Sequence, residues 1–460
     1  MELFTANRVH ILGIGGIGVS AIAKILHAGG VRVTGSDAAA SLITDELSLR
    51  GISVVIGHIA ENLPSDVDAV VYSGAVPADN VERVAATDRE VPQFSYSEAL
   101  GALSRTRRTI AISGTHGKST TTSMLGSILI HAGLDPLIIV GTRVAAFSDG
   151  NVHLGRGDFC VVEACEHEAQ MMRLVPERII VTNLEPDHLD YYGSFENLIE
   201  TFKKYVARVP ADHCVANADD KAVMSLFGND GAAGPRTIGA KAGMLRCVSR
   251  RTDTGVQRVQ IEDAETGSQF ELALRIPGAF NVLNALCALE MARSIGIGLE
   301  LAIEALEQFP GSWRRFERVG TFHDAPVISD YGHHPTAVRE TIRAAREFFP
   351  GRRIFLVYQP HQHHRTEALY KDFVDALQES DALVLCEIYD VVGREHGSSA
   401  ASAHGIIDEL SARDADKPLW YAQSLSDAVE YVRSNVEPND ILLVMGAGDI
   451  YKIADMLCSK

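Results

Sequence analysis

The chain of 460 residues carries 60 acidic side chains against 42 lysines and arginines, a formal charge of −18, with 46% hydrophobic and 22% charged residues. That length exceeds one hydrophobic core and predicts about three domains, while that charge argues against a general nucleic-acid binder. No apolar run reaches a membrane span, no basic leader precedes a first strand expected from residues 1–4, and the 7 cysteines lack any C-x-x-C pair; a cytoplasmic protein with reduced, mostly buried thiols and no membrane partner is expected.

A strand at 8–12 runs into Gly13, Gly15, Gly16 and Gly18. A helix over 19–27, with Ile22, Ile25 and Leu26 inward, stops at Gly29 and Gly30, and the next strand, 31–34, leads to Asp37. This is the dinucleotide fingerprint in its βαβ context, and a pyrophosphate could lie on the helix N-terminus. A nicotinamide or flavin dinucleotide, a nucleotide sugar, or no ligand at all, with a purely structural turn, satisfies the same pattern. Alternation continues through a strand at 69–72 to an exposed connection at 104–108.

The strand after that connection enters Gly114, Thr115, His116, Gly117, Lys118, Ser119 and Thr120. Such a turn aims backbone N–H groups and a helix N-terminus at one anion. Lys118 would meet terminal phosphates and Ser119 a magnesium ion. The full Walker pattern is absent, because Ile112 stands where its first glycine belongs. The following helix presents Met124, Leu125, Ile128 and Leu129 on one face, with Gly133 as its cap.

Further strands are expected at 159–162, ending at Glu163, and at 178–182, ending near Asp187 and His188. Ligands of open α/β sheets gather at strand C-termini, so this carboxylate and imidazole would converge on the phosphate turn, unless both merely cap loops. Residues 228–270 read as short antiparallel strands. Asn281 and Asn284 lie one turn apart, as caps or as nucleotide contacts. Arg314 and Arg315 sit at a boundary near residue 311, where a guanidinium could reach a phosphate. From residue 325 strands at 327–328, 353–358, 382–387 and 441–444 alternate with helices. Two histidine-rich loops follow the first two of these strands; a soft-metal site is one reading, and hydrogen bonding to a small polar substrate is the other. The alternation predicts an α/β protein of parallel sheets covered on both faces.

In this order the motifs resemble the Mur ligase family across nearly the whole chain: Gly13 to Gly18, Gly57-His58 with Glu61-Asn62, Gly114 to Thr121, Glu163, Thr182-Asn183 with Asp187-His188, Pro277-Gly278 with Asn281 and Asn284, Arg314 to Phe316, Asp330 to Thr336, Gln359 to His361, and Gly446 to Asp449. The resemblance implies three domains: a Rossmann-like UDP-binding domain (1–104), a central P-loop ATPase-like mixed sheet (105–311) and a Rossmann-like amino-acid-binding domain (312–460). It implies an ATP-dependent, amide-bond-forming ligase that joins an amino acid, L-alanine by these motifs, to the lactyl carboxylate of UDP-N-acetylmuramate through an acyl phosphate, in peptidoglycan synthesis. ATP and Mg2+ would be the cofactors, and small molecules the partners.

On the same resemblance, Gly13, Gly15, Gly16, Gly18, Asp37, His58 and Ser73 would bind the UDP-sugar. Gly114, Thr115, His116, Gly117, Lys118, Ser119, Thr120, Asn281, Asn284, Arg315 and Asp330 would bind ATP. Lys118, Glu163 and His188 would be catalytic, with Ser119, Glu163 and His188 on metal. Tyr331, His333, His361 and Arg365 would hold the amino acid, Arg365 taking its carboxylate. The chain departs from the family pattern at Ala164 to Glu168, at Phe280 in place of a histidine, and at Gln362 in place of an arginine. The last opens glycine or serine as acceptors. A murein tripeptide ligase of cell-wall recycling, a nicotinamide-dependent dehydrogenase and a non-catalytic nucleotide-sugar-binding protein are the other readings.

Overall fold

A computed structural model describes residues 3–228, 234–253, 255–389 and 402–458. Leu3–Thr5 is a short 3-10 turn, and the strand expected at the start begins only at Arg8. Asp68 anchors that start: its Oδ2 accepts from the N–H groups of Asn7 and Arg8 at 2.7 and 2.9 Å. Residues 1 and 2 lie outside the described residues.

Three sheets carry the described chain, and the fold is α/β as expected. The first runs in the order Ser53–Ile56, Arg32–Asp37, Arg8–Leu12, Ala69–Tyr72, Gln93–Ser95, all parallel. Its central strands are buried on both faces, which is why they read as near-continuous apolar runs. The helix after the glycine turn spans Ile17–Ala28, two residues earlier than the apolar periodicity suggested, because Gly16 ends the turn and serves as its N-cap.

The second sheet has ten strands, ordered Gln269–Leu274, Val256–Asp263, Leu245–Asp253, Arg236–Gly239, Cys214–Asn217, Arg178–Val181, Arg108–Ser113, Phe159–Glu163, Leu137–Ile139, Val152–Leu154. From Leu245–Asp253 to Leu137–Ile139 neighbouring strands are parallel, while Val152–Leu154 is antiparallel and makes the sheet mixed. The phosphate-turn strand Arg108–Ser113 lies between Arg178–Val181 and Phe159–Glu163, so the loops after all three open at one edge. Residues 245–253 and 256–263 form strands longer than the short ones expected there.

The third sheet has the order Glu317–Phe322, Ala325–Asp330, Asp440–Met445, Arg353–Tyr358, Ala382–Cys386, Leu419–Ala422. Its first pair is antiparallel and the rest parallel, a departure from the uniform parallel pattern. A tight turn joins that first pair, with His323 and Asp324 at positive φ, so no crossover helix intervenes. The chain divides into two compact units: Met1–Val248, Ile261–Phe270 and Leu283–Leu306; and Ser249–Gln260, Glu271–Val282 and Glu307–Lys460.

All 7 cysteines are free thiols, and Cys160, Cys214, Cys287 and Cys386 are buried. Burial pushes each of those four up to about 12. No helix among the described residues is long and apolar enough to cross a membrane.

Candidate active site

The phosphate turn is built by two glycines that have no space for a side chain. Gly114 has φ +126°, and a Cβ there would stand 2.2 Å from Thr182 Oγ1 and 2.9 Å from the Asn183 carbonyl. Gly117, the left-handed N-cap of the helix Lys118–His131, has φ +82° and would place a Cβ 2.3 Å from Asn284 Oδ1. Between them the backbone is tied to the neighbouring strand end. Thr115 N–H donates to the Asn183 carbonyl and His116 N–H to Asn183 Oδ1, both at 2.9 Å, while Thr182 Oγ1 donates to the His116 carbonyl at 2.6 Å. His116 Nε2 lies 3.1 Å from Glu185 Oε2.

Lys118 is folded back onto this turn. Its ammonium donates to the carbonyls of Gly114 and Thr115 at 2.6 and 3.1 Å and to Glu166 Oε1 at 2.8 Å. Burial disfavours the ammonium, but the Glu166 carboxylate more than offsets this and holds Lys118 above its ordinary value. Ser119 and Thr120 are buried in the first helical turn. An anion entering here meets a helix N-terminus and one lysine already desolvated.

Glu163 ends its strand as expected, but its carboxylate is held by the backbone, Oε1 accepting from Gly141 N–H at 2.6 Å. Asp187 and His188 do not end the strand Arg178–Val181; they lie beyond it, where His188 at φ +53° precedes the short helix Leu189–Tyr192. The acidic and imidazole atoms that gather are those of Glu166, Asp187 and His188, all within 4.8 Å of one another. His188 Nε2 stands 3.9 Å from Glu166 Oε1 and 3.8 Å from Asp187 Oδ2, and its ring meets His167 edge-on at 4.7 Å. Glu163 is outside this group. Two carboxylates and an imidazole form a donor set that suits Mg2+ or Mn2+ better than a soft metal. Glu166 carries no role in the sequence reading, where it stands only within the departure from the family pattern at Ala164 to Glu168. It is buried, and left-handed Glu168 and Ala169 kink the segment that follows it.

In the first sheet, Gly15 N–H donates to Asp37 Oδ2 at 2.8 Å, so Asp37 braces the glycine turn. Gly13 and Ile14 donate to the Ser36 carbonyl at 2.9 and 3.1 Å, and Ser73 N–H to the Leu12 carbonyl at 3.0 Å. Gly18 packs under the Tyr96 ring. His58 stands at the next strand end, with Nδ1 2.9 Å from Glu82 Oε1.

In the third sheet, four rings follow one another: Tyr331 to His333 at 5.3 Å, His333 to His361 at 5.8 Å, and His361 stacked on Tyr389 at 5.6 Å. Tyr389, not anticipated from sequence, joins through the bonds Tyr389 N–H to the Pro360 carbonyl at 2.8 Å and Gln362 N–H to the Tyr389 carbonyl at 3.0 Å. Arg365 is buried in the helix His363–Ala368. Asp330 accepts from Phe316 N–H and Gly332 N–H at 2.8 and 2.7 Å, and burial raises its carboxyl against the pull of Arg315. Arg314 is buried among Tyr451, Tyr331 and Trp313, at 4.7, 4.9 and 5.5 Å from the ring centres, and Arg315 lies 4.9 Å over Tyr331. Asn281 donates to the Pro277 carbonyl at 2.6 Å, which closes the turn before its helix. Asn284 lies against Gly117.

Three family patterns match the chain in order: Mur ligase family, catalytic domain, over 8–108; Mur ligase middle domain over 112–292; and Mur ligase, glutamate ligase domain, over 314–448. The chain is 36% identical over 452 residues to a UDP-N-acetylmuramate–L-alanine ligase of Clostridium novyi, covering 98% of this chain and 97% of that one. Among solved structures, the UDP-N-acetylmuramate-alanine ligase of Thermotoga maritima superposes with a TM-score of 0.84 at 30% identity, over 98% of each chain. A murein peptide ligase of Psychrobacter arcticus gives 0.72 at 23% identity over 98% of each, a likeness of fold.

Proposed function

Because the chain belongs to the Mur ligase family, we propose from that premise a reaction in which its phosphate turn activates a carboxylate for attack by an amine. The enzyme is an ATP-dependent ligase that joins L-alanine to UDP-N-acetylmuramate in peptidoglycan synthesis. The observation that carries the mechanism is Lys118, desolvated at a helix N-terminus beside Glu166, Asp187 and His188.

A carboxylate is inert to amines until one oxygen becomes a leaving group. A lactyl carboxylate oxygen attacks the γ-phosphorus of ATP, the bond to the bridging oxygen breaks, and an acyl phosphate and ADP result. The amine of L-alanine then attacks the acyl carbon; phosphate departs, a proton leaves the nitrogen, and an amide remains. Both partners in the first step are anions, so fixed positive charge is the main requirement. Lys118 supplies it by exchanging its bonds to the Gly114 and Thr115 carbonyls for phosphate oxygens. The N–H groups of 117–120 at the helix N-terminus complete the cradle, those of Thr115 and His116 being bonded to Asn183. When bound, Mg2+ would neutralise phosphate charge; Ser119 and Glu163 would hold one ion, and His188 a second, with Glu166 and Asp187 beside His188.

Gly13, Gly15, Gly16, Gly18, His58 and Ser73 would receive the UDP-sugar, with Asp37 shaping the turn. Asn281, Asn284, Arg315 and Asp330 would complete the ATP contacts. Tyr331, His333, His361 and Arg365 would hold the amino acid. The functional segments are taken as 1–104, 105–311 and 312–460, in a cytoplasmic enzyme.

The test is ADP release by the purified chain with ATP, Mg2+ and UDP-N-acetylmuramate, each amino acid and the murein tripeptide being supplied separately. Selective turnover with L-alanine, lost on adding EDTA in excess of Mg2+, is the expected result. Turnover with glycine or serine would reassign specificity to the Gln362 loop, turnover with the tripeptide would move the chain to recycling, and none with any acceptor would leave a binding protein.

A further inference from the structure

Beneath the first sheet lies a buried polar cluster for which the mechanism above has no use. Glu82, in the first turn of the helix Val81–Asp88, is fully buried, as are His10 and Ser36. Its Oε2 is 2.8 Å from His10 Nε2 and accepts from Ser36 Oγ at 3.0 Å; its Oε1 is 2.9 Å from His58 Nδ1 and accepts from Asn62 Nδ2 at 3.1 Å. Burial would raise this carboxyl, but the bonds from His10, Asn62 and His58 outweigh it and hold Glu82 below its ordinary value.

An ionised carboxylate only accepts hydrogen bonds, so all four partners must present hydrogens to it. His10 therefore carries its proton on Nε2, leaving Nδ1 to accept from Thr34 Oγ1 at 2.8 Å. By the same rule His58 carries a proton on Nδ1. In the singly protonated ring the lone pair then lies at Nε2, on the opposite side from Glu82. The His58 side chain is about 20% exposed, unlike His10 at 1%. The same Ser36 that bonds Glu82 through its hydroxyl accepts the Gly13 and Ile14 N–H groups through its carbonyl, and Gly57 N–H donates to the Asp37 carbonyl at 2.8 Å. His58 thus stands at the strand edge where the glycine turn would receive a ligand.

We propose that Glu82 is a positioning residue for the nucleotide-sugar site: it fixes His58 as the Nδ1–H tautomer, so that Nε2 accepts a hydrogen bond from an N–H or O–H of the bound uridine nucleotide. The donor is the uracil imide or a ribose hydroxyl, which share this chemistry. The ligand's identity rests on the functional reading above; the tautomer rests on the cluster alone. Glutamine at position 82 has the shape of the native side chain but one acceptor oxygen, and its amide must donate to one imidazole, forcing that ring into the other tautomer.

The experiment is calorimetric titration of the full chain with UDP, for the wild type, Glu82→Gln, His58→Ala and the double variant. His58→Ala is expected to weaken UDP about tenfold, the size of one lost hydrogen bond to a fixed partner, and Glu82→Gln equally when its NH2 faces His58, with the double variant no weaker than His58→Ala and the KM for ATP unmoved. Losses that add would overturn the proposal, as would unchanged UDP affinity in a folded Glu82→Gln whose 15N spectrum shows His58 protonated at Nε2; unchanged affinity with His58 still protonated at Nδ1 supports it, the glutamine having turned its NH2 to His10. A 15N spectrum of the wild-type imidazoles, with His58→Ala for assignment, needs no folded Glu82 variant: a protonated His58 Nδ1 supports the assignment and an Nε2–H tautomer overturns it. N3-methyl-UDP, 2′-deoxy-UDP and 3′-deoxy-UDP separate the donors, since only the analogue lacking the true donor should bind the wild type and His58→Ala alike; any other outcome, none binding the two alike or all doing so, overturns the contact. Wild-type protein that does not bind UDP at all would remove the uridine reading itself, and with it the contact, even where the tautomer is as expected.

Discussion

Lys118→Met is expected to lower the rate of ADP release about a hundred- to a thousandfold, and also to destabilise the protein, because the lysine has two partners of different kinds. Removing one preorganised charge from an anion site costs about 2.7–4 kcal/mol of transition-state stabilisation. The second effect comes from Glu166, which is buried and receives the ammonium at 2.8 Å. Breaking such a pair from one side typically costs about 3–5 kcal/mol, since the remaining charge is left without compensation. The two effects separate in Lys118→Met/Glu166→Gln, where the thermal transition should return toward that of the wild type while turnover stays lost. A double variant as unstable as Lys118→Met would show that Glu166 is balanced by something other than Lys118.

Gly117→Ala is the second large effect. At φ +82° an L-residue is strained by about 1–2 kcal/mol, and the added Cβ would sit 2.3 Å from Asn284 Oδ1. Either the Asn284 amide withdraws or the turn lifts from its place, and displacement of about 1 Å in a positioned site is enough for about a hundredfold loss. Gly133→Ala is the control: its φ is +73°, but nothing lies within 4 Å of the added Cβ. We expect the control to lose stability and keep its rate, while Gly117→Ala loses the rate. Initial velocities at saturating ATP distinguish them, and equal losses in both would mean that left-handed strain, not the contact with Asn284, governs the turn.

These contrasts mark what could be read from residues alone. The alternation of apolar strands with amphipathic helices, and the glycines between them, announced the central strands of the first and third sheets, because parallel strands buried on both faces leave long apolar runs; the edge strands Ser53–Ile56, Gln93–Ser95, Glu317–Phe322 and Leu419–Ala422, partly exposed and mixed in polarity, went unread. The phosphate turn was legible for the same reason: Gly114 and Gly117 sit where no side chain fits. Glu166, Glu82 and Tyr389 were not legible. Each belongs to a type that is ordinarily exposed or commonplace, and each acquires its role from chain segments distant in sequence: Lys118 for Glu166, His10 and His58 for Glu82, the 359–362 loop for Tyr389. Asp187 and His188 were read as a strand end because the apolar run stops near them; the strand itself ends at Val181, and the loop between carries Asn183 to the phosphate turn. Pattern reports what a backbone must do locally, whereas pairing across loops depends on curvature that pattern does not encode.

The buried thiols have a consequence outside catalysis. Cys160, Cys214, Cys287 and Cys386 are shielded by strands and a helix, and their thiolates are scarce at neutral pH. Alkylating reagents attack thiolates, so these positions stay silent until the element around each one opens. Because Cys160, Cys214 and Cys386 mark three strands and Cys287 a helix, the protein carries its own set of internal clocks: the order in which the four are labelled reads out, without any introduced probe, which part of the molecule breathes first.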